Sequence, residues 1–320
     1  SGITPAGNAD PRGAASPKRT GNPWENALAN GLSSVASARS LNFTASTDGT
    51  RFSMPLDGLN FWTGGTARFG TRTLGESAGA FRFSTDGLTV GVDKRLNDRL
   101  ALGAALGYAR DEADIGDDGS RSKAKGESFS LYGSFHPTPR TYVDALLGFG
   151  RADLDSDRWV DGFDAFARAN RRADQVFASV AAGYEYRKGS FLVSPYGRVD
   201  VAEDRLKRVT ESGAGVANLV FEEQTIRTSS AALGVRLESA HETDYGRAMP
   251  RARLEYRRDF DSGRAASFTY ADQLGSGLTY SATPSGTGRN ALILGVGSDF
   301  LLRGGWRVGV DYQGERNSGT

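Results

Sequence analysis

The chain has 320 residues, 24% of them charged, and its 39 basic against 38 acidic side chains leave a formal net charge of +1. So even a balance gives no electrostatic footprint for nucleic acid or another polyanion. Cysteine is absent, which excludes disulfides, thiolate zinc sites and thiol nucleophiles together and fits passage through an oxidising compartment.

Residues 1–23 are rich in Pro, Gly, Ala, Ser and Asn and read as a flexible linker. Ser1-Gly2-Ile3-Thr4 opens no basic-then-apolar leader, and the expectation is a portion of a longer protein. From Pro23 the text changes. Trp24, Leu28, Leu32, Val35 and Leu41 fall at helical spacings with Ala between them, and Asn22 is placed to cap with Pro23 in first position. A small-residue helix with its connector is predicted over 24–45, weakened by Gly31 by about 1 kcal/mol relative to Ala.

From Leu59 the hydrophobic period is two, and the remainder, 46–320, reads as one strand-rich domain. Strands are predicted at 59–71, 80–95, 99–113, 122–136, 141–155, 172–187, 191–206, 222–240, 249–260, 290–302 and 305–316. In the third, Leu100, Leu102, Leu106 and Tyr108 share one parity, and Ala101, Gly103, Ala105 and Gly107 the other. In the ninth, Pro250, Ala252, Leu254 and Tyr256 alternate with Arg251, Arg253, Glu255 and Arg257. In the last, Trp306, Val308, Val310 and Tyr312 alternate with Arg307, Gly309, Asp311 and Gln313. Four successive charges on one face are costly in a dry core and natural in a wet lumen. No apolar run reaches the roughly 18 residues of a membrane helix, and the mean hydropathy of −0.43 does not argue against a membrane barrel, whose alternate residues alone meet lipid.

Connections alternate in length. Asn97-Asp98, Pro137-Thr138-Pro139, Lys188-Gly189 and Arg303-Gly304-Gly305 are tight turns, and longer loops are expected at 114–121, 156–171, 207–221 and 261–289. Short turns on the periplasmic side and long loops outside is the outer-membrane pattern. The predicted fold is therefore all-β, an antiparallel up-and-down transmembrane β-barrel with eleven strand candidates present. A soluble sandwich alternates too, but its inner face is apolar rather than Arg-lined. Asp93, Asp144, Glu185, Arg198, Asp200, Arg236, Glu238, Arg251, Arg253, Glu255, Arg257, Asp299 and Asp311 lie on the polar parity and are expected to line the lumen and pair across strands.

Catalytic, cofactor and metal sites are not expected. The two histidines, His136 and His241, fall at separate short turns, which does not assemble a His-based active site. Asp111, Glu112, Asp114, Asp117 and Asp118 crowd one loop without calcium-loop spacing and read as solvated. Gly148-Phe149-Gly150 and Gly295-Val296-Gly297 sit inside strands with no following helix, so they are not phosphate cradles. Glycine inside strands instead suggests close approach of another backbone, and the helix predicted before the first strand is a candidate for it. Trp62, Phe69, Tyr108, Phe135, Tyr142, Tyr184, Tyr186, Phe191, Phe300 and Trp306 fall near strand ends and are expected to form interfacial girdles.

With the strands placed, the chain from about 24 to 320 resembles the translocator (β) domain of the autotransporter, or type V secretion, family. The resemblance is carried by Gly87-Leu-Thr-Val-Gly-Val-Asp93, Leu100-Ala-Leu-Gly-Ala-Ala-Leu-Gly-Tyr108, Pro195-Tyr-Gly-Arg198, Pro250-Arg-Ala-Arg-Leu-Glu-Tyr256 and Gly305-Trp-Arg-Val-Gly-Val-Asp-Tyr312. It implies a twelve-stranded barrel threaded by an N-terminal helix, which leads to a passenger displayed or released outside. The implied partners are the lipid bilayer of the outer membrane, the barrel-assembly machinery and the chain's own passenger; a monomer is expected. The family ends on a strand closing with an aromatic residue, whereas this text ends Gln313-Gly-Glu-Arg-Asn-Ser-Gly-Thr320, so a twelfth strand is expected beyond it. The competing function is a small outer-membrane diffusion channel without a passenger. The segment 1–45 separates the two, being unnecessary in a channel and expected in a translocator.

Overall fold

The computed structural model describes residues 51–52, 59–73, 80–115, 117–244, 246–260, 266–273, 280–282, 289–302 and 307–317. The expected linker and pore helix lie outside them.

Eleven long strands follow one another in the sheet as they do in the chain. They are β1 (Leu59–Thr73), β2 (Ala80–Arg95), β3 (Leu100–Ile115), β4 (Ser120–Thr138), β5 (Thr141–Val160), β6 (Ala165–Tyr184), β7 (Phe191–Leu206), β8 (Gln224–Ser239), β9 (Gly246–Asp259), β10 (Asn290–Leu302) and β11 (Arg307–Asn317). Every neighbouring pair is antiparallel, as hairpin connection requires. A two-residue strand, Arg51–Phe52, pairs with the start of β1, and short strands Tyr186–Lys188 and His241–Thr243 extend the hairpins into β7 and β9. Among the described residues β1 and β11 are not paired with each other.

The burial is inverted relative to a water-soluble sandwich. Along β7, Leu192, Ser194, Tyr196, Asp200, Ala202 and Asp204 are buried, while Phe191, Val193, Pro195, Val199 and Val201 are exposed. Leu106 and Leu233 are 60% and 71% exposed, yet Glu255 on the other face is 1% exposed. A continuous exposed face of Leu, Val and Phe is unfavourable in water and required in lipid.

The exposed face changes chemistry along β3 and β5. On β3 the apolar series Leu102, Leu106, Tyr108 gives way to Arg110, Glu112 and Asp114, and on β5 Val143, Leu147, Phe149 gives way to Arg151, Asp153 and Asp155. The switch falls on the loop side on both strands, so the apolar band lies against the short turns. β5 and β6 run for 20 residues each, about twice the roughly 9–11 residues that a tilted strand needs to cross the apolar core.

That extension corrects two expected loops. Residues 156–171 are continuous with β5 and β6 apart from a single 3-10 turn at Asp161–Phe163, and 114–121 narrow to the turn between Ile115 and Ser120. The strands persist because their exposed charges pair across the register. Arg121 reaches Asp157 at 2.6 Å, Lys123 reaches Glu112 at 3.2 Å, and Arg151 reaches Asp174 at 3.2 Å. The described residues of the two remaining long loops carry short strands. Val209–Thr210, Leu219–Phe221, Ala266–Tyr270 and Tyr280–Ala282 form a second, four-stranded antiparallel sheet.

Candidate functional site: the buried face of the large sheet

The buried face is built from two interleaved devices, both dictated by cross-strand register. The first is a set of rings over glycines. Trp62 stands opposite Gly91, Tyr132 opposite Gly103, Phe177 opposite Gly148, Tyr142 opposite Gly183 and Tyr196 opposite Gly234. In each pair the ring occupies the place a Cβ of the glycine would take. This corrects the expectation that these glycines make room for a helix backbone; the aromatic side chain of the adjacent strand fills the space. It also corrects the girdle reading for Trp62 and Tyr142, which lie on the buried parity. Tyr108, Phe135, Tyr184, Tyr186, Phe191 and Phe300 are exposed at the ends of the apolar band, as girdle residues are. Of Phe69 and Trp306, the side chain of the first and the whole of the second lie outside the described residues.

The second device is a set of buried ion pairs. Arg198 donates Nε to Asp200 at 3.0 Å and a terminal nitrogen to Glu255 at 2.9 Å. Glu255 also accepts from the Tyr196 hydroxyl at 2.6 Å, and Asp200 from Ser179 at 2.7 Å. This node joins β6, β7 and β9. Arg236, 4% exposed, contacts Glu185 at 3.2 Å and Glu238 at 3.0 Å, and its guanidinium carbon lies 6.0 Å from the Tyr142 ring centre. Arg251 meets Asp299 at 2.6 Å, Arg257 meets Asp259 at 3.3 Å, and Arg253 donates to Gln313 at 2.6 Å. Asp93 accepts from Tyr132 at 3.3 Å, whose oxygen in turn accepts from Trp62 Nε1 at 2.5 Å. Asp144 is buried on β5. The side chain of Asp311 lies outside the described residues. Desolvated charges persist when paired and hydrogen-bonded; the Arg198 node has both, whereas Arg236 is ion-paired with its Nη1 making no hydrogen bond among the described residues.

All five arginines of the set stand on β7, β8 and β9, and their partners Asp200, Glu238, Glu255 and Asp299 stand on β7 to β10, while Asp93, Asp144 and Glu185 stand on β2, β5 and just past the end of β6. The arrangement holds strands in register.

Sequence reasoning missed the aromatic half of this face and three charges above it, Arg158, Arg171 and Glu211. Tyr132 shares parity with Gly126 and Ser130, Phe177 with Gly183, and Tyr196 with Asp200 and Asp204, and that was the available signal. Asp111 is buried, Glu112 and Asp114 point to the other face, and Asp118 accepts from the Ser120 amide at 2.8 Å, so the acidic run diverges instead of converging on a cation. His136 contacts Ser134 at 3.5 Å and His241 contacts Ser239 at 3.0 Å, at two separate short-turn hairpins.

The family model for the autotransporter β-domain matches residues 61–313. The chain belongs to that family. The autotransporter β-domain fold is also seen in solved structures. The translocator domain of NalP from Neisseria meningitidis superposes with a TM-score of 0.71 at 16% identity, covering 92% of this chain and 94% of that one. The β-domain of the Bordetella autotransporter BrkA gives 0.58 at 18% identity, covering 81% and 93%. Among curated relatives, outer membrane protein B of Rickettsia typhi is 27% identical over 150 residues, 43% of this chain and 9% of its own length. An extracellular serine protease of Serratia marcescens is 22% identical over 276 residues, 84% of this chain and 26% of its own length. The chain thus spans from about a tenth to about a quarter of these relatives. As an autotransporter β-domain it is an outer-membrane translocator module of a Gram-negative bacterium, crossing the membrane with strands.

Proposed function

We infer that this module anchors and exports a passenger attached before residue 1, and that the buried face lines the pore through which the passenger segment runs. The observation that carries the reading is the inverted sheet: apolar side chains exposed in a band and charged ones buried behind it, over strands in sequence order. A matched portion of only 9–26% in the relatives is consistent with a small anchor on a large exported body. Residues 1–23 serve as the linker to that body and 24–45 as the helix held in the pore, against a wall whose small positions include Ala101 and Ala105. The module works as a monomer, is inserted by the barrel-assembly machinery, and carries out no catalysis of its own; any enzymatic activity of the parent belongs to the passenger.

The test is to place an epitope before residue 1 in the parent chain, behind a secretion signal, and to probe intact cells with antibody and protease. Epitope exposed at the surface supports export. Epitope retained in the periplasm beside a folded barrel overturns the translocator reading and leaves the passenger-less channel. Crosslinking single cysteines between residues 24–41 and Ala101 or Ala105 tests the helix separately.

A further inference from the structure

The second sheet lies on the lumen side of the wall, not outside it. Its Leu219 and Phe221 pack in one buried cluster with Ala124, Ala152, Leu154, Ala173 and Leu206 of β4 to β7. Those wall residues share parity with the buried charges and glycines, and stand opposite the exposed series that carries Arg121 and Asp155. They also lie on the loop side of the apolar band. The sheet therefore packs above the membrane on the lumen face of β4 to β7, at the external end of the lumen.

Buried charges hold it there. Arg171, 2% exposed, donates Nε to the Lys207 carbonyl at 2.6 Å and a terminal nitrogen to the Glu222 carbonyl at 2.7 Å, with its guanidinium carbon 5.9 Å from the Phe221 ring centre. One side chain on β6 thereby ties both stems of the 207–222 loop. Burial lowers its pKa to about 10, which leaves it a cation at neutral pH. Glu211, also 2% exposed, receives two guanidinium nitrogens of Arg158 at 3.0 and 2.5 Å and the Leu219 amide at 2.8 Å. Arg158 reaches on to the Ala217 carbonyl at 3.0 Å. Arg168 and Ser212 exchange backbone hydrogen bonds at 2.8 and 2.9 Å, pinning the loop to β6. A loop that only needs to be soluble has no use for desolvated ions, whose burial is unfavourable without full hydrogen bonding. Here the hydrogen bonding is supplied, and what it fixes is position.

We propose that this four-stranded sheet is a folded seal on the external mouth, whose function is to keep small polar solutes out of the pore, with Arg158, Arg171 and Glu211 as its positioning residues. The proposal rests on the reading of the buried face as a pore lining. The experiment measures entry of a small charged β-lactam into cells that carry the full parent chain and a periplasmic β-lactamase. Glu211→Gln and Arg171→Met shift the sheet toward its undocked state by about tenfold or more, one decade for each broken latch, and uptake rises with it. The chain has no cysteine, so Arg168→Cys with Ser212→Cys offers a single crosslink. A hydrogen-bonded antiparallel pair has Cα atoms about 5.5 Å apart, inside the span a disulfide bridges. The crosslink is expected to form in the wild-type background, to return uptake of the Glu211→Gln chain to the resting level, and to release it again on reduction. Failure of the crosslink to form overturns the docked position. Unchanged uptake in the latch variants, with heat-modifiable folding intact, overturns the sealing function, and so does a rise that the crosslink does not suppress. Surface display of an epitope before residue 1 is read in the same cells, so loss of display with the uptake pattern intact counts against the translocator reading alone.

Discussion

The Phe177 ring of β6 fills the space that a side chain on Gly148 of β5 would occupy, and the two residues face each other directly in the strand register. Phe177 is 1% exposed and packs with Leu146, Ala202 and Tyr132. The glycine is thus a socket for a ring, and its substitution is a packing problem.

Gly148→Ala is therefore expected to destabilise the barrel by about 1–3 kcal/mol through overpacking, and Gly148→Val by more. Phe177→Ala alone costs roughly 3–5 kcal/mol from the cavity it leaves. In the double variant the methyl added at position 148 enters that cavity, and the combined loss falls short of the sum. Urea unfolding of detergent-refolded protein reads all four values. Strict additivity would show that ring and glycine are not one joint.

Glu255 is the centre of the charge network, with Tyr196 and Arg198 both donating to it. Glu255→Ala leaves a buried guanidinium with Asp200 alone and is expected to cost about 3–5 kcal/mol. Replacing Arg198, Asp200 and Glu255 together by Met, Asn and Leu is expected to cost much less, because no ion of the node is left stranded. The same unfolding assay decides. Equal losses in the single and triple variants would mean that the node contributes attraction beyond its desolvation.

The large sheet was legible in the sequence because the side-chain period of two is strict wherever one face meets lipid. Leu254 and Tyr256 beside Arg253 and Glu255 leave one register, and the structure has it. The inner partners of the glycines were less legible. Trp62 and Tyr142 fit an interfacial girdle as well as a socket by type alone, and parity relative to Gly91 and Gly183 is what separates the two roles. The 156–171 stretch was misread for a physical reason. Outside the apolar band the exposed face carries charges such as Arg168, which pairs with Asp157, and the buried face carries small residues such as Ala167 and Ala169, so the strong apolar alternation fades although the strands continue. The second sheet was illegible because its Leu219, Val220 and Phe221 form a run buried on both sides, which carries no period.

Glu112 offers a titratable report on the extended wall. It lies beyond Tyr108 on the exposed parity of β3, and a hydrogen bond from Lys123 followed by one from Arg110 holds its carboxyl below the usual range. A depressed folded value means that the pairing stabilises above the unfolded value, about 4.3, and is lost as pH falls through the folded one. Both partners are solvent-exposed, so the contribution stays below about 1 kcal/mol and shrinks with salt. Lys123→Ala is expected to move the Glu112 titration up toward the unperturbed range while leaving heat-modifiable folding unchanged. Carboxyl NMR in micelles measures it, and an unmoved midpoint would place the control with Arg110.

The band itself is tested at two positions on one strand. Leu233 lies on the exposed face of β8, 71% exposed, opposite Gly197 and Tyr256, both of which sit within the apolar stretch. Arg227, also exposed on β8, faces Glu203 and bonds it at 2.8 Å, where the neighbouring strands have already turned to charge. Leu233→Arg puts a guanidinium at mid-membrane and is expected to cost roughly 2–4 kcal/mol. Arg227→Leu sits outside that band and is expected to change stability by less than about 1 kcal/mol, the range of an exposed pair. Unfolding in lipid vesicles, compared with the same variants in detergent micelles, reads the difference and its source. The Leu233→Arg penalty is expected to deepen in the bilayer, where water has farther to reach. Equal penalties at 227 and 233, or a Leu233→Arg chain as stable as the parent, would put the membrane somewhere other than the band between the short turns and Tyr108.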